Sequence, residues 1–106
     1  VWTVRYQKGD QQTIHNHRSW GFTGVLYVDF DPKVHNPTYF VAPWQDPRSD
    51  TTTITTPADI EEGDIIIVPS YTLHFVKPNS ARKQRTVMSF DLLPKLPDHQ
   101  AGYLDK

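Results

Sequence analysis

Residues 63–74 read Gly63-Asp64-Ile65-Ile66-Ile67-Val68-Pro69-Ser70-Tyr71-Thr72-Leu73-His74. The acidic pair Glu61-Glu62 and the Gly63-Asp64 step mark a turn. The turn feeds Ile65–Val68, a run apolar on both faces, which is therefore expected to lie centrally in a sheet. Pro69 and Ser70 interrupt that run, and a second strand over Tyr71–Val76 carries His74. Two short strands broken by Gly and Pro, with no 3.6-residue periodicity, set the pattern for the whole chain.

Working outward, Lys77–Lys83 reads as a turn and Arg85–Leu92 as the last strand. Pro94 and Pro97 end the regular structure, so residues 1–93 are expected to form the domain and residues 94–106 a tail. Toward the N-terminus, Thr51–Thr56 reads as an edge strand and Gln45–Asp50 as a loop. Tyr39–Ala42 is a short strand ended by Pro43, Gly24–Phe30 a longer one, and Thr13–His17 and Val1–Tyr6 complete the set. Nine prolines and five glycines punctuate segments rich in Val, Ile, Thr and Tyr, as in an all-β sandwich or barrel. About eight short strands match a jelly roll, two Greek keys packed as a double sheet; an immunoglobulin-like sandwich and an open barrel are the alternatives, and strand count alone does not separate them.

Composition narrows the function classes. In 106 residues, 11 Lys and Arg stand against 12 Asp and Glu, a near-neutral chain without the field that grips nucleic acid. With no cysteine, disulfides, thiolate zinc sites and a cysteine nucleophile are excluded. No apolar run approaches the ~20 residues of a membrane-spanning helix, and no targeting segment is seen, so a cytoplasmic location is expected. A thin core at this size makes a homodimer or a bound metal a plausible source of added stability.

The histidines carry the chemistry. His15 and His17 sit two apart on an expected strand, where side chains at i and i+2 leave the same face. Two imidazoles side by side can grip one metal, and His74 is the best third ligand because it also lies on a strand. His35, in a proline-flanked loop, and His99, in the tail, are set aside. Imidazole suits Zn, Cu, Fe and Ni alike, so residue type alone does not name the metal. If the strands carrying His74 and Arg85 form a symmetric hairpin, the two residues are opposite each other, about 5 Å apart on one face. An inward guanidinium there needs an anion, and its planar fork fits a carboxylate. The alternative is a solvated cation, like its neighbours Arg82 and Lys83. Trp20, Tyr39, Trp44 and Tyr71 are candidates for a pocket wall or simply for core.

These residues resemble a known family. His15-Asn16-His17 followed by Thr23-Gly24-Val25-Leu26-Tyr27, and later Gly63–His74 followed by Arg85-Thr86-Val87-Met88-Ser89-Phe90, are similar to the Fe(II)/2-oxoglutarate-dependent oxygenases. The resemblance covers residues 2–92 and is strongest to the subgroup with a His-x-His pair before a Ser/Thr-Gly-x-x-Tyr strand. It implies a double-stranded β-helix and a dioxygenase (hydroxylase) activity. It implies Fe(II) held by His15, His17 and His74. It implies 2-oxoglutarate chelating that iron and anchored through its far carboxylate by Arg85, with Tyr27 also reaching the cosubstrate. A small-molecule or peptide substrate would then be oxidised. The sequence departs from the usual pattern at His17, where the family triad has Asp or Glu, with Asp29 or Asp31 as possible substitutes. Val87 stands where Ser is common, and the helices that buttress the outer sheet are missing, leaving Met88 and Phe90 in need of cover.

A second resemblance is to cupins. Gly9, five residues, then His15-x-His17, and Gly63, five residues, then Pro69-Ser70-Tyr71 and His74, fit much of the two cupin motifs. The cupin Glu is absent from Gly21, Phe22 and Thr23, and Pro78 holds the final Asn position. That resemblance implies the same fold and metal site, but a metal-dependent enzyme without 2-oxoglutarate. A jelly-roll metal-binding module without catalysis is the remaining alternative.

Overall fold

The computed structural model describes residues 1–49 and 51–95, and for residues 43–46 the backbone alone. The strands are β1 (Trp2–Tyr6), β2 (Gln12–His15), β3 (Phe22–Asp29), β4 (Tyr39–Asp46), β5 (Thr51–Thr55), β6 (Ile65–Pro69), β7 (Leu73–Val76) and β8 (Arg85–Leu92). They form two four-stranded antiparallel sheets, ordered β1-β8-β3-β6 and β2-β7-β4-β5. The first strand therefore pairs with the eighth, the second with the seventh, the third with the sixth and the fourth with the fifth. That is a long antiparallel ribbon wound on itself, the all-β double-stranded β-helix expected from the sequence. Among the described residues no helix is long and apolar enough to cross a membrane.

The core fills the space between the sheets. Tyr6, Val25, Tyr27, Phe30, Ile60, Val76 and Val87 form one buried cluster, with Val4 and Ile66 packed against it. Along β3, Thr23, Val25 and Tyr27 alternate inward, and along β8 so do Arg85 and Val87. The opposite face of β3 and β8 is apolar too. Gly24 pairs with Phe90, whose ring lies over it; a Cβ on Gly24 would overlap that ring. Phe90 is thus half-buried by its own sheet.

Four expectations are corrected. The Ile65–Val68 run is not central: β6 is the edge of its sheet, and Ile65 and Ile67 are each 53% exposed. Its outward residues are apolar because they continue the outer face of β3 and β8, not because a strand flanks it on both sides. β7 and β8 do not form a hairpin, since they belong to different sheets. The connection between them is held elsewhere: buried Asn79 bonds the Tyr6 and Lys83 carbonyls through Nδ2 at 3.0 and 3.2 Å. The Asn79 backbone also accepts from Gly9 N at 2.6 Å and donates to Asp10 O at 2.9 Å, so the crossover is pinned to the β1–β2 turn. β4 runs through Pro43 to Asp46, taking Gln45 and Asp46 from the expected loop, and its register against β5 shifts between Val41 and Gln45. A proline without an N–H is accommodated at such an irregularity. Finally, β2 stops at His15, so His17 lies beyond the strand. Of the expected tail, residues 96–106 lie outside the described residues.

Candidate metal centre

His15 on β2 lies directly across from His74 on β7 in the strand register. Their rings are 4.3 Å apart, and His17 approaches them at 5.5 Å and 5.1 Å. One ring nitrogen from each of the three lies within 4.8 Å of the others. His17 joins the cluster although it lies beyond β2, so strand alternation does not place it; the loop after β2 does the aiming. His17 N donates to Ser70 O at 3.0 Å, and Ser70 N to Gly21 O at 3.0 Å. The Trp2 ring stacks on His17, with centroids 5.5 Å apart. The three imidazoles open into a cavity of about 280 Å³ whose wall includes Trp2, Tyr6, Thr38 and Asp91.

Each imidazole has its Nδ1 bonded to an oxygen that can only accept. His15 Nδ1 donates to Thr13 O at 2.7 Å, His74 Nδ1 to Thr72 O at 2.9 Å, and His17 Nδ1 to the Asp91 carboxylate at 3.0 Å. A carbonyl or carboxylate partner fixes the proton on Nδ1 and leaves the Nε2 lone pair free. All three rings therefore present the same bare nitrogen, the arrangement outer partners impose on metal-binding histidines. Burial lowers the pKa of His74, and the adjacent His15 and His17 act in the same direction, against the hydrogen bond to Thr72. A neutral imidazole is the form that binds a metal.

Arg85 does not face His74 across a hairpin; it pairs with Tyr6 across β1 and β8. Its side chain still points into the interior, 1% exposed, so the solvated-cation alternative fails. Nε donates to Asn36 O at 2.9 Å and Nη2 to Thr38 Oγ1 at 3.2 Å. The guanidinium lies 4.8 Å from the centre of the Tyr6 ring and 5.6 Å from that of Tyr27. Nη1 is buried without a hydrogen-bond partner among the described residues. Burial draws the pKa of Arg85 down, opposed by Tyr27 and Tyr6, but an arginine stays charged. Tyr6 and Thr38, which Arg85 touches, are also wall residues of the histidine cavity. Tyr27 is fully buried, and its hydroxyl accepts from Thr38 N at 3.0 Å.

Other sequence candidates fall elsewhere. His35 is buried in a clasp, its Nδ1 accepting from Asp31 N at 2.9 Å and its Nε2 donating to Lys83 O at 2.8 Å. Asp31 pairs with Lys83 at 3.1 Å, and neither it nor Asp29 joins the histidines. His99 and the Trp44 side chain lie outside the described residues. Tyr39 borders a second cavity with Phe30 and His35, Tyr71 is exposed, and the aromatics beside the histidines are Trp2 against His17 and Phe40 against His74. Asp91 was missed from sequence. Strand alternation was the available signal: residues 85, 87, 89 and 91 share the inward face of β8.

The family model described as "Putative 2OG-Fe(II) oxygenase" matches residues 1–91. No match was found among curated proteins.

Proposed function

The chain belongs to the 2OG-Fe(II) oxygenase family, and on that premise we propose that it is a hydroxylase using Fe(II) and 2-oxoglutarate. His15, His17 and His74 would hold the iron through their three Nε2 atoms. The donor set fits: three neutral imidazoles suit Fe(II) and leave coordination positions open. Bound together, iron and cosubstrate supply the oxidising power, O2 being consumed as 2-oxoglutarate becomes succinate and CO2 and a C–H bond becomes C–OH.

The observation that carries the reading is Arg85. A charge buried to 1% exposure with an unpartnered Nη1 is costly unless an anion completes it. Nε and Nη2 are occupied by Asn36 and Thr38, which fix the plane of the guanidinium and leave Nη1 to meet a carboxylate. Tyr27 holds Thr38 in turn, so its contribution to cosubstrate binding runs through that contact. The protein's part is to orient the keto acid against the metal and to keep the surroundings dry; the cofactor carries the chemistry.

The test is succinate formation from labelled 2-oxoglutarate under air, with Fe(II) and ascorbate. Slow succinate release by the wild type, absent from His74→Ala, is expected. No succinate from iron-loaded wild type at saturating 2-oxoglutarate would contradict the reading.

A further inference from the structure

The geometry points to Asp91 as a positioning residue that sets the tautomer of His17 and supplies, one bond out, the negative charge that His17 withholds from the metal set. This rests on the reading of the three histidines as a metal site. His15 and His74 are each oriented by the carbonyl two residues before them. His17, which lies beyond β2, has no such bond to the carbonyl two residues before it. Its Nδ1 is held instead by a side chain 74 residues away, at 3.0 Å.

Asp91 is itself held. Thr23 Oγ1 donates to the same carboxylate oxygen at 2.9 Å, and Thr23 faces Asp91 directly across β3 and β8. With its proton so engaged, Thr23 accepts from Ser70 Oγ at 3.0 Å. Ser70 closes the loop by accepting the His17 N–H on its carbonyl. Thr23 and Ser70 are 2% and 0% exposed, so this chain of donors has a fixed direction. The second carboxylate oxygen faces Arg18 at 3.8 Å at the rim. Asp91 is not one of the clustered ligands; its oxygen is turned to Nδ1, away from the nitrogen a metal would take. A free imidazole prefers its proton on Nε2, so without Asp91 the ligating nitrogen of His17 is capped.

The experiment compares wild type, Asp91→Asn and Asp91→Ala by two readouts. Ring 15N NMR of the metal-free proteins gives the His17 tautomer, and competition with a chelator gives Fe(II) and Co(II) affinity. The expected results are Nδ1–H in wild type and a shift toward Nε2–H in Asp91→Ala. Metal affinity should fall about 10–100-fold in Asp91→Ala, the usual loss for an outer partner of a ligand. Asp91→Asn, which keeps an acceptor oxygen and loses the charge, should fall between. If Asp91→Ala does not fold, Asp91→Asn alone decides by the same two readouts. An unchanged tautomer with unchanged affinity overturns the assignment of Asp91. A wild type that binds neither metal overturns the metal-site reading beneath it instead.

Discussion

His15 and His74 are a directly opposed pair on β2 and β7, their rings 4.3 Å apart. The ribbon topology creates this contact: joining the second strand to the seventh brings together residues 59 positions apart in sequence. Removing His74 should abolish metal binding while leaving the fold intact, because the His74 ring lines the histidine cavity, where its loss leaves space open to that cavity. A His74→Ala protein that melts cooperatively and binds no Fe(II) is the expected outcome. Full metal occupancy in that variant would exclude His74 as a ligand.

Arg85→Ala should leave metal binding unchanged and weaken 2-oxoglutarate binding by ~2–5 kcal/mol, the range for losing one partner of a buried charge pair. Arg85→Lys should recover little, since one ammonium cannot hold Asn36 and Thr38 and still offer a free donor along the fork. Calorimetric titration into metal-loaded protein measures both. Equal affinity in Arg85→Ala would remove Arg85 from the cosubstrate site.

The metal-free protein should lose stability on acidification. Burial holds the folded-state pKa of His74 below its ordinary value, so the unfolded chain binds the proton more readily. The stability is fully present above about pH 6.5 and is lost as pH falls through the depressed folded-state pKa. Melting temperatures recorded downward from about pH 7.5 should therefore hold until about pH 6.5 and decline below it, and His74→Phe should flatten the slope. An identical slope in the variant would place the effect elsewhere.

Gly24→Ala should destabilise the fold by about 1–3 kcal/mol, the usual range for overpacking, because the new Cβ overlaps the Phe90 ring. Combining it with Phe90→Ala should restore part of the loss, with a coupling of about 0.5–3 kcal/mol in a double-mutant cycle. Strict additivity by denaturant titration would show that the Phe90 ring is not what excludes a side chain there.

Much of this was legible in the sequence. Short β-rich segments cut by Gly and Pro gave the strand count; that count allows a jelly roll, an immunoglobulin-like sandwich or an open barrel, and the histidine pattern with the family resemblance singled out the first. His15, His17 and His74 were found from spacing and strand placement, and all three converge. Sheet membership was not legible. Ile65–Val68 is apolar on both faces, a pattern shared by a central strand and by an edge strand that extends an apolar outer face. Lys77–Gln84 has turn residues, yet Asn79 fastens them to the β1–β2 turn, a long-range contact that local composition does not encode. The hairpin that would have turned Arg85 inward beside His74 does not form; Arg85 faces the interior from the opposite sheet instead. Asp91 carried no motif, and only the alternation along β8 could have pointed it toward His17.

The central claim is that iron and a keto acid meet in one site. Metal-free protein, loaded with Fe(II) under anaerobic conditions and titrated with 2-oxoglutarate, tests it most directly through the visible metal-to-ligand charge-transfer band. A saturable band in wild type, lost in His74→Ala and shifted to much higher 2-oxoglutarate in Arg85→Ala, is the result predicted. Iron bound without any band at saturating 2-oxoglutarate would contradict the account and leave a three-histidine metalloprotein whose buried arginine serves another anion.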